Sequence, residues 1–487
     1  MMNLVSAKIK LRSRLVKYRL EHDSIGDLEV PLNALYGIQT RRAVLNFPIS
    51  ELRQHTSFIF SIVQIKKAAA RFHQKVGWLD SKKATQIIRA ADEILLKYQW
   101  LDHFVVDVYQ AGAGTSCNMN VNEVLANRAI ELLGGKRGQY HLIHPNDHVN
   151  MGQSTNDVIP TAMRLSTLAL LSQFIPTLQK LSQTFLKKSN EFKRVYKSGR
   201  THLQDAAPVT LGQEFAAYAE SLKNHVQRII QAQKDLFNLG IGGTAVGTGL
   251  NTHPDYRQHM VKFLSEQTKF AFHVHPNTFE AMQSMAPFVQ VSNAIRNLTL
   301  DLIRIGNDLR LMTSGPTTGF EEIILPALQP GSSIMPGKVN PSMVECLNMV
   351  GFQVLGHDAT IAMASQAGQL ELNVMMPVLS YNLLQEISIL TNLIKVFDEK
   401  CVQGIQANVH RCLEYAEKSV SIATALNPVI GYEKAAEVVK SALKERKTIK
   451  QIVLERQILK EEQYQQVVQL QKLVDPLNKS FKTLKKK

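Results

Sequence analysis

Seven apolar residues, Phe288, Val291, Ile295, Leu298, Leu302, Ile305 and Leu309, follow one another at alternating steps of three and four. That spacing holds one apolar seam on one side of a helix about 33 Å long. Such a seam is covered only by other helices of similar length running beside it. Leu383, Ile387, Leu390, Ile394 and Phe397 repeat the pattern. Leu168, Leu171, Ile175, Leu178, Leu181 and Phe185 nearly repeat it, and Pro176 is predicted to kink or interrupt that helix. Nearer the N-terminus, Phe58, Ile62, Ile65, Ala69 and Phe72 mark an amphipathic helix. Only the short stretch from Asp27 to Pro31 reads as extended. The chain is therefore predicted to be all-α, built on a bundle of long helices.

At 487 residues the chain has room for about three domains. An apolar fraction of 45% with 20% charged residues excludes a disordered, collagen-like or disulfide-scaffold class. The apolar run from Leu165 to Leu178 is broken by Ser166, Thr167, Ser172, Gln173 and Pro176. It falls short of the roughly 18 unbroken residues of a membrane span, so none is predicted. Four cysteines without CxxC spacing, and no secretion-like opening, point to a reducing cytoplasm. Of the net charge of +15, residues 1–20 carry +6 and residues 472–487 carry +5, leaving +4 on the body. These read as solvated tails, and a nucleic-acid partner is not expected.

Polar, glycine-bearing segments interrupt the helical pattern at 111–120, 144–157, 198–205, 239–252 and 330–341, and chemistry is expected there. The last of them packs Ser332, Ser333, Lys338 and Asn340 between Gly331 and Pro341. Its glycines let backbone amides converge on an anion, and Lys338 adds a point charge for a carboxylate. A serine acts as a base near neutral pH only if its alkoxide is stabilised, and such amides with a nearby cation supply that. Thr115, and the run Ser154, Thr155, Asn156, stand beside expected helix starts, where each reads either as an N-cap or as an anion site. Together with the Ser332 loop they suit a substrate with more than one carboxylate. His202 is a candidate orienter or proton relay if a carboxylate holds it. Glu345 lies seven residues beyond Lys338, on the same face if a helix begins near Pro341. His141, His144 and His148 are spaced like metal ligands, but Pro145 argues against a helical pair, so no metal and no cofactor is assigned.

With these residues the chain resembles the aspartase/fumarase superfamily from His22 to about Pro476, the 331–341 segment matching its signature loop. The segments Val106 to Ser116, His144 to Asn150, Gln153 to Asp157 and Gln366 to Gln369 are more similar to the aspartate ammonia-lyases than to the class II fumarases. Gly249 to Pro254 is more similar to the fumarases. Asn373 to Pro377 lacks the Glu that several aspartases carry before the proline, and Thr317 stands where both groups usually have Arg.

The resemblance implies a three-domain fold whose central helices form the core of a homotetramer, each active site being drawn from three subunits. The expected divisions are a basic arm at 1–20, a mostly helical domain at 21–152, the central bundle at 153–406 and a small helical domain at 407–487. Ser332 would be the base that removes the C3 proton. Thr115, Ser154, Thr155 and Ser333 would bind the carboxylate beside C3, and Lys338 and Asn340 the other. Asn156, Thr201 and His202 would surround the amino group and its neighbouring carboxylate. Glu345, from the reading of the residues alone, stays a catalytic candidate as the carboxylate that could hold His202. The implied activity is elimination of ammonia from L-aspartate to give fumarate, with fumarate hydration as the alternative. The implied partners are a small dicarboxylate and further copies of the chain.

Overall fold

The structure, a computed structural model, describes residues 17–475. The chain groups into two units that take segments from all along the sequence. One comprises Met1–Phe174, Arg228–Arg296 and Gln353–Ile389, the other Ile175–Gln227, Asn297–Phe352 and Leu390–Lys487. Helix dominates both, as the periodicity requires.

The first unit opens on an antiparallel pair, β1 (Tyr18–Asp23) and β2 (Gly26–Pro31), the second of which covers the stretch expected to be extended. The first corrects the expectation of a free arm through residue 20. Arg19 lies in β1, pairs with Glu21 at 2.7 Å and donates to the carbonyls of Pro31, Ala34 and Tyr36. Its charge is spent closing the turn after β2 rather than in solvent. Lys8, Lys10, Arg12 and Arg14 lie outside the described residues, as do the lysines from 479 onward.

The helix Thr56–Lys75 buries Phe58, Ile62, Ile65, Ala69 and Phe72, the expected stripe, and with them Lys66. Ser81–Lys97 begins on Asp80, whose carboxylate accepts from the amides of Lys82 and Lys83, and ends on Tyr98 in the left-handed region. Thr115–Leu132 carries a run of buried asparagines, Asn118, Asn120, Asn122 and Asn127. Three of them hold polar groups elsewhere in the fold. Asn118 reaches Thr155, Asn120 donates to the His103 carbonyl and Asn127 to that of Leu35.

The long helices are Thr155–Glu191, Leu211–Ala232, Ala286–Met312, Ser342–Gln366 and Met376–Lys400. All seven seam residues of Ala286–Met312 are buried, as are Leu383, Ile387, Leu390, Ile394 and Phe397. In Thr155–Glu191 the seam passes through Phe174 instead of Ile175, and the helix runs on through Pro176 without the expected interruption. Pro176 and Ser172 are both exposed. The Ser172 carbonyl that loses its amide partner can therefore be hydrated, which lowers the cost of a proline inside a helix. By length and composition this helix could cross a membrane, but 72% of its apolar window is buried inside the protein.

In the second unit the segment expected as a polar loop at 198–205 is a hairpin, β3 (Tyr196–Thr201) and β4 (Gln204–Thr210). His202 and Leu203 form its two-residue turn, both at positive φ (54° and 59°). That is the backbone of a type I′ turn, ordinarily made by Asn and Gly, and His-Leu carries no such signal. Toward the C-terminus Ile422, Leu426, Val438, Ala442, Ile452 and Val453 form a separate small apolar core.

Candidate active site

The first unit carries a cavity of about 800 Å³ lined by Thr115, Ser154 and Thr155, with Gln39, Asn118 and Thr244 among its walls. Ser154 precedes the Thr155–Glu191 helix and takes the capping role expected of it. Its Oγ accepts from the Asn156 amide at 3.2 Å, while Asp157 Oδ1 accepts from the Ser154 amide at 3.0 Å. This reciprocal arrangement caps the helix and leaves the Ser154 hydroxyl hydrogen free to donate to an anion. Thr155 Oγ1 accepts from Asn118 Nδ2 at 3.1 Å, so its hydrogen is likewise available. Thr115 is exposed and is the first residue of its helix; the cap position belongs to Gly114, at φ 87°, with no side-chain cap. The N-cap alternative thus does not apply to Thr115. Asn156 gives one N–H of its amide to the Ala245 carbonyl at 2.7 Å and keeps Oδ1 as an acceptor.

The second unit carries a cavity of about 910 Å³ lined by Lys338, Asn340 and Glu345, together with Arg310 and Glu321. Ser332 lies half-buried in the adjoining loop. Its Oγ accepts from the amides of Ile334 and Met335 at 3.2 and 3.0 Å, so backbone N–H groups converge on that oxygen as the glycine-rich sequence suggests. The loop closes on itself through the Gly331 amide to the Lys338 carbonyl (2.7 Å) and through Asn340 Nδ2 to the Gly331 carbonyl (2.8 Å). Asn340 thus secures the loop through its NH₂. Ser333 and Lys338 are exposed.

A Cβ on Gly331 would meet the Lys338 carbonyl at 2.6 Å and the Asn340 amide at 2.8 Å. Gly331→Ala must open the loop, and a displacement of about 1 Å at a reacting group costs on the order of 100-fold. Turnover is expected to fall by about that factor while the melting temperature, read by scanning calorimetry, stays within a few degrees. A variant as active as wild type would show that the loop's closed form is dispensable.

Thr201 and His202 sit exposed at the hairpin tip. The helix after the signature loop starts at Ser342, so Lys338 precedes it and shares no helix face with Glu345. That corrects the face argument, although both residues line the same cavity. Among the described residues no hydrogen bond joins His202 to Glu345, and the expected pair is not formed within this chain. Below the hairpin, buried Glu322 pairs with Lys197 and Arg200 of β3, each at 2.7 Å, which fixes the strand leading to Thr201.

Two of the three histidines spaced like metal ligands, His144 and His148, are engaged locally. His144 Nδ1 accepts from the amides of Asn146 and Asp147, and His148 Nδ1 from that of His144. Among the described residues no group of three His, Cys, Asp or Glu is placed to hold a metal.

Residue-by-residue reading missed the support beneath the first cavity. Lys66 Nζ donates to Asn150 Oδ1 at 2.7 Å and to Gln153 Oε1 at 3.0 Å, and burial lowers its pKa to about 7, opposed by the charge of Asp157. Asp157 is buried too, which raises its pKa to about 6, against the amides of Ser154, Gly242 and Thr244 that favour its charged form. The available signal was a lysine beside Ile65, four residues from both Ile62 and Ala70, on the buried side of the helix.

A family model described as lyase matches residues 26–356, and one described as fumarase C C-terminus matches residues 422–475. An aspartate ammonia-lyase of Bacillus sp is 48% identical over 462 residues, 94% of this chain and 98% of that protein. A class II fumarate hydratase of Thermus thermophilus is 46% identical over 464 residues, 95% of this chain and 99% of that protein. A fumarate lyase:delta crystallin from Brucella melitensis, solved bound to cobalt, superposes with a TM-score of 0.91 at 43% identity, covering 94% of this chain and all of that one. With whole-length relatives of both kinds, a matching, mostly helical architecture and the signature loop in place, the chain belongs to the aspartase/fumarase superfamily of lyases.

Proposed function

We propose that the chain is an aspartate ammonia-lyase, eliminating ammonia reversibly from L-aspartate to give fumarate. The choice of substrate is supported by the likeness of the segments Val106 to Ser116, His144 to Asn150, Gln153 to Asp157 and Gln366 to Gln369 to aspartate ammonia-lyases. Asn156, which gives one N–H to the Ala245 carbonyl and keeps Oδ1 open, is compatible with it. An acceptor suits an ammonium, which brings only donors.

In this reading Ser332 takes the C3 proton; the electron pair moves into the neighbouring carboxylate, which becomes a dianionic aci-carboxylate. Thr115, Ser154, Thr155 and Ser333 donate to it, and donors aimed at developing charge are the main source of rate. Lys338 and Asn340 hold the other carboxylate, with Thr201 and His202 near the amine. The amine leaves already protonated, so no acid is needed, whereas a malate hydroxyl would need one. Glu345 has no assigned step on this route unless His202 reaches it in the assembly.

The proposed assembly is a homotetramer with composite sites. Ser342–Gln366 supports it, burying Val344, Leu347, Val354 and Ile361 while exposing Met349, Phe352 and Met363, each by 60% or more. A helix apolar on both sides is ordinarily covered on both. The near-equal likeness to class II fumarate hydratases keeps hydration of fumarate as the second reading. Following fumarate by absorbance separates the two. Fumarate forming from aspartate and not from malate is the expected result, and the reverse result replaces this reading with the second.

A further inference from the structure

Lys66 is 0% exposed, so whatever it does for the reaction it does through other groups. Three hydrogen bonds connect it to the hydroxyl-lined cavity. Lys66 Nζ donates to Asn150 Oδ1; that oxygen also accepts from Asn118 Nδ2 at 3.3 Å; and the same Asn118 nitrogen donates to Thr155 Oγ1 at 3.1 Å. An ammonium has only donors, so it fixes which atom of the Asn150 amide faces it, and that oxygen fixes the orientation of Asn118. Asn118 then presents NH₂ to Thr155, whose oxygen is occupied as an acceptor and whose hydrogen must point elsewhere. The second ammonium bond, to Gln153 Oε1, leaves Gln153 Nε2 to hold the carbonyls of Val149 and Met151 at 3.1 and 3.2 Å. His73, from the same helix, adds a bond to the Met151 carbonyl at 2.9 Å. The segment leading into Ser154 is therefore held to the Thr56–Lys75 helix at both ends of its turn.

The charge matters as well as the geometry. The titratable group facing Lys66 is Asp157, which accepts from the backbone amides of Ser154, Gly242 and Thr244 at 3.0, 2.8 and 3.1 Å. Its negative charge favours the ammonium form of Lys66 against burial, which disfavours it, and offsets part of the ammonium's field. The ammonium acts in a medium far less polarisable than water, where a unit charge reaches further. During proton abstraction the C3–H bond breaks, a Ser332 O–H bond forms, and the released electron pair takes the carboxylate from one negative charge to two. A fixed cation behind the hydroxyls favours the second state more than the first.

We propose that Lys66 is a positioning residue for proton abstraction: a buried ammonium that, through Asn150 and Asn118, aims the Thr155 hydroxyl at the carboxylate beside C3 and steadies the dianion formed there. This rests on the reading in which Thr155 holds that carboxylate.

Lys66→Met keeps the length of the side chain and removes the charge, leaving the Asn150 and Gln153 oxygens without their donor and Asp157 without its neighbouring cation, so some stability is lost with it. In the full-length protein, kcat on whichever of aspartate or malate is turned over should fall about 10- to 100-fold with KM within about threefold, the signature of an interaction realised in the transition state. Two probes read the same difference without turnover. The nitronate of 3-nitropropionate copies the charge of the aci-carboxylate, and succinate copies the ground state. Nitronate affinity should fall by at least about tenfold and succinate affinity by less than about threefold. Unchanged kcat and nitronate affinity, or equal loss of nitronate and succinate, would overturn the role. Should the methionine variant fail to fold, Asn118→Ala interrupts the relay one step on, and the same selective loss of nitronate binding decides the matter. If the wild-type protein turned over neither substrate, the proposed function would fail while the nitronate and succinate comparison still ruled on Lys66.

Discussion

Ser332→Ala is expected to lower kcat by about a thousandfold or more while leaving the folded protein and its oligomeric state unchanged. Positioned bases contribute about 10²- to 10⁴-fold on their own. Ser332 Oγ is placed for that task in a way that neighbouring hydroxyls are not, since the amides of Ile334 and Met335 both point at it. Those donors lower the cost of an alkoxide, and alanine leaves them with nothing to stabilise. The same two bonds are all that the structure shows the side chain contributing locally, so the loss in stability is small, about 0.5–1.5 kcal/mol per bond at most and less at a site open to water. Ser333→Ala is the companion. It removes one carboxylate donor without removing the base, and should cost about tenfold, shared between kcat and KM. Steady-state rates, with size-exclusion chromatography and a melting curve as controls, check both. A Ser332→Ala enzyme within tenfold of wild type would move the base elsewhere in the chain.

The seams of the long helices were legible because burial along a helix is periodic and nothing else in a sequence repeats at three and four. Every residue of the Phe288 to Leu309 seam is buried as read. The error at Ile175 has a local cause, as Phe174 and Ile175 are both apolar and the spacing alone cannot choose between them. The hairpin was illegible for the opposite reason: His202 and Leu203 occupy turn positions that Asn and Gly usually advertise. Of the polar segments singled out by composition, the Ser332 loop carries the amide convergence its glycines suggest. Lys66 and Asn118 did not stand out. A lysine within an apolar stripe and an asparagine within a helix look like surface residues until tertiary contacts bury them. What the superfamily resemblance supplied, and periodicity could not, was the role of each hydroxyl.

Mixing two inactive chains, Ser332→Ala and Thr155→Ala, is expected to restore activity. Thr155→Ala removes a donor to the developing dianion, a loss of about 10²- to 10³-fold at comparable sites, so each variant alone should be nearly silent. The proposed tetramer draws each site from more than one subunit, placing the signature loop of one copy over the hydroxyl cavity of another. In randomly assembled hybrids at equal proportions, about a quarter of the sites would then combine an intact Ser332 with an intact Thr155. Activity should rise from about one per cent of wild type or below to about a quarter of it after the chains are unfolded and refolded together, and not after simple mixing of assembled oligomers. If instead one chain supplied both residues to its own site, every site in every hybrid would carry one lesion or the other, and no amount of exchange could restore turnover. The restored fraction thus depends only on which chain each residue comes from, and is independent of whether the substrate proves to be aspartate or malate.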